Sequence, residues 1–155
     1  MRRIYVFFLF FFILSSSVYG ETGKIEKELA GIKLGLSRAD VINLLGKPEG
    51  ETLIIGPRTF LVYDFMDYTS QGILLVLRDG SVSFINIFFP CMAKTAKGIA
   101  IGDNLSDVKN LYGSSVKISI GYASIFTFPE YNISVKGLKG TIVITEIILG
   151  KFEIY

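Results

Sequence analysis

After Pro48 the chain is organised as short runs rich in β-branched and aromatic residues. The first four are Thr52–Ile55, Thr59–Met66, Ile73–Arg78 and Ser81–Phe89; the next four are Val116–Ile120, Ala123–Phe128, Asn132–Val135 and Thr141–Leu149. Such runs, broken by Gly, Asn, Asp and Pro, predict β-strands. Asp79-Gly80 is a two-residue hairpin signal, and Leu138-Lys139-Gly140 sets Gly140 where Gly80 stands in the earlier run. Ahead of each group the apolar period lengthens. Val41, Leu44 and Leu45, then Val108, Leu111 and Tyr112, fall on one helical face. Ser37-Arg-Ala-Asp40 is a capping-box pattern, and Asn104-Leu-Ser-Asp107 places similar chemistry at the second helix start. Gly46 and Gly113 supply the left-handed ending, and Pro48 blocks resumption of the first helix. Both helices are expected to run about three turns. Lys24–Ala30 and Met92–Lys97 are expected as short helices preceding them.

Residues 31–46 and 98–113 agree at Gly31/Gly98, Ile32/Ile99, Gly35/Gly102, Asp40/Asp107, Val41/Val108, Asn43/Asn110, Leu44/Leu111 and Gly46/Gly113. Eight identities in sixteen ungapped positions indicate internal duplication. The expected fold class is therefore α+β: two tandem repeats of a short helix or helix pair followed by antiparallel strands, with helices packed on one face of a sheet. The expected divisions are 1–20, 21–90 and 91–155. Gly31, Gly35, Ser37, Asp40 and Gly46, with Gly98, Gly102, Asn104, Asp107 and Gly113, form the structural motif of the repeat.

Period-two alternation assigns the strand faces. Ile133 and Val135 alternate with polar Asn132, Ser134 and Lys136; with Glu146 facing water, Thr145, Ile147 and Leu149 point inward. A shift of about sixty residues sends Ile73, Leu75, Ile85, Ile87 and Phe89 inward, and an outward Asp64 does the same for Leu61, Tyr63 and Phe65. That leaves Phe60, Val62, Leu74, Val76, Val82, Phe84 and Phe88 facing outward. A contiguous exposed apolar patch marks an interaction surface. Phe60, Val62, Leu74, Val76, Phe84 and Phe88 are the candidate partner-binding residues.

Composition narrows the chemistry. Arg2-Arg3, an apolar run from Ile4 to Leu14 and small residues up to Gly20 read as an export signal cut after Gly20, which predicts a periplasmic or secreted protein. Removing Arg2 and Arg3 from 16 basic residues leaves 14 against 14 acidic ones. A neutral balance has no field for nucleic acid or anionic headgroups. Histidine is absent, which removes the usual general base and most zinc sites. Asp64 and Asp67 suit turn chemistry at a strand end, Asp103 and Asp107 suit helix capping, and Arg38, Arg58 and Arg78 read as solvated side chains. No catalytic, metal or cofactor site is expected. The single cysteine, Cys91, reads as a small, partly buried residue, and Glu21 rather than cysteine follows the expected cleavage point.

The motif Gly-Ile-x-Leu-Gly-x-Ser-x-x-Asp-Val-x-x-Leu-Leu-Gly-x-Pro, residues 31–48, resembles the BamE (SmpA/OmlA) family of envelope proteins. The doubled arrangement is similar to the β-lactamase inhibitor protein family. These resemblances imply a non-catalytic role: one group helps assemble outer-membrane barrels, the other plugs an enzyme with its concave sheet face. The expected function is an exported protein-binding module of the assembly-factor or inhibitor type. Its expected partner is an envelope-assembly component or a secreted enzyme; peripheral outer-membrane association and a homodimer stay open. The alternative is a periplasmic carrier of lipid or a hydrophobic small molecule.

Overall fold

The computed structural model describes residues 25–55 and 62–150. A two-residue hairpin, β1 (Glu28–Leu29) and β2 (Ile32–Lys33), leads into helix α1 (Arg38–Leu45). Strands β3 (Gly50–Ile55), β4 (Val62–Tyr68), β5 (Ile73–Arg78) and β6 (Ser81–Phe88) follow. After α2 (Leu105–Tyr112) come β7 (Val116–Ile120), β8 (Ala123–Phe128), β9 (Ile133–Leu138) and β10 (Glu146–Gly150). All eight of the longer strands join one antiparallel sheet in the order β3-β4-β5-β6-β10-β9-β8-β7.

This corrects the α+β expectation of tandem units with helices packed over a sheet. Strand accounts for 48% and helix for 18% of the described residues, so the large antiparallel sheet is the body of the molecule. Each helix has eight residues, roughly two turns where three were expected. Only Val41 of α1, and Val108 and Tyr112 of α2, are buried. So little apolar surface does not make a layer. Leu29 and Ile32 of the β1–β2 hairpin, together with Ile99 and Ile144 from loops, cover much of the same sheet face. The helices expected at 24–30 and 92–97 are absent where described. Residues 28–29 pair as a strand, and Lys94 instead makes an isolated bridge with Ala100.

Local chemistry explains the element ends. The Ser37 Oγ accepts from the Asp40 amide at 3.2 Å, while the Ser37 amide donates back to Asp40 Oδ2 at 3.3 Å. In α2 the cap differs: Asn104 Oδ1 accepts from the Ser106 amide at 2.9 Å, one residue earlier than the Asp107 of the pattern. Asp103 caps a loop, accepting from the Ala100 amide at 2.8 Å. Asp79 and Gly80 both have positive φ, 50° and 82°, as the two-residue hairpin between β5 and β6 requires.

Register fixes the two faces. Tyr68↔Ile73↔Ile87↔Ile147↔Val135 and Met66↔Leu75↔Ile85↔Leu149↔Ile133 form two rows on the core side. The inward assignments of Ile73, Leu75, Ile85, Ile87, Ile133, Val135, Ile147 and Leu149 therefore match burial. Strand β4 runs in the opposite phase to that expected. Asp64 points to the helix side, where Arg38 of α1 binds it, so Met66 and Tyr68 are the core residues and Tyr63 and Phe65 face the other way. The sequence-expected inward Leu61 lies outside the described residues. A register shift between Val76 and Leu77 turns Val82 inward, and its N–H and C=O bond Leu36 and Gly35. Phe89, expected inward, lies just past the end of β6 and is 77% exposed.

Gly72 closes the turn between β4 and β5 at φ +69°, and a Cβ there would lie 2.1 Å from the Phe88 carbonyl oxygen and 2.5 Å from the Cys91 nitrogen. Gly98 also has positive φ, +88°, but open space around it. Urea unfolding should therefore separate them. Gly98→Ala is expected to cost about 1 kcal/mol from backbone strain alone, and Gly72→Ala about 3 kcal/mol or more because backbone must also move. Equal losses would show that strain, not crowding, governs Gly72.

Candidate binding cleft on the open face of the sheet

The face turned away from the helices carries a different set of side chains. One row crosses the whole sheet: Gly50, Asp67, Leu74, Asn86, Ile148, Ser134, Thr127 and Val116. Beside it run Thr52, Phe65, Val76 and Phe84 on one flank, and Phe88, Glu146, Lys136, Ile125 and Ile118 on the other. Phe65 on β4 and Ile120 on β7 line a single cleft of about 420 Å³. Those strands stand six positions apart in the sheet order, roughly 29 Å if the sheet were flat. Sharing one cleft requires the sheet to curl, so this face is concave.

The cleft walls are apolar: Phe65, Leu74, Val76 and Phe84 on one side, Ile120, Ala123, Ile125 and Ile148 on the other. Its floor is polar. Lys136 pairs with Glu146 Oε1, and Asn86 Nδ2 donates to Glu146 Oε2 at 3.1 Å. The carboxylate accepts only, which sets the amide orientation and leaves Asn86 Oδ1 as the acceptor. That oxygen is buried and has no hydrogen-bond partner among the described residues. An orphaned acceptor of this kind costs about 1–3 kcal/mol, and it is a strained point in an otherwise satisfied floor.

Of the six residues expected to bind a partner, Leu74, Val76 and Phe84 line this cleft. Phe88 shares the face, opposite Glu146, but lies outside the lining. Val62 is corrected: it has the parity of Asp64 and therefore faces the helix side, opposite Ile55. Phe60 lies outside the described residues. Reading the sequence missed the opposite wall, although Ala123 and Ile125 alternate with Ser124 in a legible period of two.

Other polar groups resolve into structural pairs. Asp64 and Asp67 project from opposite faces of β4 and cannot act together. Asp67 accepts from Thr69 Oγ1 at 2.5 Å. Arg38 is no loose surface side chain: its Nε bonds Asp64 Oδ2 at 3.0 Å and its Nη2 bonds Glu51 Oε1 at 2.6 Å. The Asp64 hydrogen bond raises the guanidinium pKa further. Arg58 lies outside the described residues. Cys91 is half-buried, against the edge of the core.

A buried cluster was not anticipated. The Tyr112 hydroxyl contacts Glu26 Oε1 and Thr95 Oγ1, and Glu26 Oε2 accepts from the Ala96 amide at 3.2 Å. The two ends of the Tyr112–Glu26 contact are 86 positions apart. Burial, then the Glu26 hydrogen bond, pushes the Tyr112 hydroxyl well above the ordinary 10.0. A tyrosine held protonated beside a carboxylate is a poor nucleophile or base, so the cluster serves as a strut between residues 26, 95 and α2.

No protein-family model, no curated protein and no solved structure matches this chain. Among the described residues, no group of three or more His, Cys, Asp and Glu is placed to hold a metal ion. Among them, too, no helix is long and apolar enough to cross a membrane.

The Tyr112 strut has a pH signature. Its pKa is raised on folding, so its stabilisation is complete below the ordinary value of 10.0 and is lost as pH rises through the folded value. Tyr112→Phe is expected to cost about 1–3 kcal/mol near neutrality. The gap between wild type and variant should then hold up to about pH 9 and narrow in urea melts above about pH 10, as the tyrosine of the unfolded chain ionises. A gap that stays constant through that range would show that folding does not raise the pKa of this hydroxyl.

Proposed function

We propose that this chain is an exported, non-catalytic protein-binding module that takes an apolar anchor of its partner into the concave face of the sheet. The observation that carries this reading is the cleft itself. Apolar walls from β4–β6 and from β7, β8 and β10 face each other across a short polar floor, the layout of a buried core and fixed orienting groups found at recognition surfaces. The partner is an envelope-assembly component or a secreted enzyme. The export pattern of residues 1–20 and the resemblance of residues 31–48 to envelope proteins support that class.

A second reading, carriage of a lipid or hydrophobic small molecule, draws on the same cleft, because about 420 Å³ falls in the usual range for small-molecule sites. A photoreactive phenylalanine placed at Leu74 and, separately, at Ile125 distinguishes the two, since these residues stand on opposite walls. The protein-binding reading expects one and the same envelope or secreted protein to be trapped in cells from both positions. Leu44, exposed on α1, should trap none. Lipid adducts without protein from both walls would transfer the cleft to the carrier reading, and adducts of twice the chain's mass would identify a second copy as its occupant.

A further inference from the structure

The opposite face of the sheet is closed differently at its two ends. Under α1, the acidic side chains of Glu51 and Asp64 are both satisfied by Arg38. The corresponding place under α2 is basic. Lys117 stands opposite Phe126 as Glu51 stands opposite Met66, and Leu105 begins α2 where Arg38 begins α1. Lys109 Nζ lies 5.1 Å and Lys117 Nζ 5.5 Å from the centroid of the same Phe126 ring. Among the described residues neither ammonium has an acidic partner. Two cations drawn to one ring repel each other, and the ring quadrupole offsets only about 0.5–1 kcal/mol for each at an exposed site.

Beneath them is a cavity of about 360 Å³, walled by Leu105, Phe126, Val135 and Ile144 and lined as well by both lysines and Ser124. Ser124 is 5% exposed, and among the described residues its hydroxyl makes no hydrogen bond. Gly137 lets the 141–144 loop form the far wall, since a Cβ there would meet the Val143 carbonyl oxygen at 2.7 Å. An apolar chamber with two uncompensated cations and an unused hydroxyl fits one ligand chemistry. We infer that this cavity binds an anionic amphiphile, with a carboxylate or similar head between Lys109 and Lys117, a hydrogen bond from Ser124 and an apolar body against Phe126. The inference does not rest on the partner-binding reading, because the cavity lies across the sheet from the concave cleft.

The probe is decanoate, titrated calorimetrically into the protein produced from the full sequence, with decanol as the uncharged control. Saturable decanoate binding is expected, at least about tenfold tighter than decanol. The double variant Lys109→Gln/Lys117→Gln should lose about tenfold or more while its circular dichroism spectrum stays unchanged, since both side chains are exposed. Leu74→Glu, on the concave face, should leave decanoate affinity as it was. No saturable binding would overturn the inference, as would equal affinity for acid and alcohol, or indifference to the double substitution. Loss of decanoate binding in folded Leu74→Glu would overturn it too, by moving the ligand to the concave cleft.

Discussion

The pairing of β6 with β10 is the constraint on which the other features depend. Ile87 and Ile147 lie directly opposite each other at the middle of the sheet, sixty positions apart in sequence. Through that contact the strands of β3–β6 and β7–β10 become one surface with a shared core, where the same strands left separate would each have an exposed edge. The pairing also places Asn86 beside Ile148 and Glu146 beside Phe88, so the polar floor of the concave cleft exists only because the two segments meet. Its curl is a property of the joined sheet, since no four-stranded piece brings Phe65 near Ile120.

Burial on the helix side is achieved with little helix. Val41, Val108 and Tyr112 are anchor points, and hairpin and loop residues fill between them. Long-range polar contacts take over the task of holding these coverings. Arg38 ties α1 to β3 and β4, while Tyr112 ties α2 to residues 26 and 95. The two devices are chemically unlike, one an exposed ion-pair fork and the other a buried hydroxyl–carboxylate pair. That difference leaves one end of the helix side sealed by charge pairs and the other with two lysines over an open chamber.

Legibility in the sequence followed the range of the interaction. Asp79-Gly80, the Ser37–Asp40 box and the glycines at 46 and 113 act within a few residues, and each element edge they signalled stands within a few residues of its place. The alternation of Ile73, Leu75, Ile85 and Ile87 told the core face, and with it put Leu74, Val76 and Phe84 on the other. Strand β4 was misphased because a carboxylate was taken to face water, and Asp64 turns inward to an arginine 26 positions away. Val82 turned because of a register shift that no local pattern announces.

What the sequence determined by itself is therefore the approximate place of the eight longer strands, the Asp79-Gly80 turn and the Ser37 cap, since these depend on backbone preferences and on periods of two that a single segment carries. Only the tertiary structure decided that the strands share one sheet with short helices beside it. It also decided that the open face is concave, that Asn86 is left with an orphan oxygen, and that Lys109 and Lys117 converge on Phe126. Each of these is a relation between segments distant in the chain. Strand order and curl set such relations, and neither has a signature in any one stretch of residues.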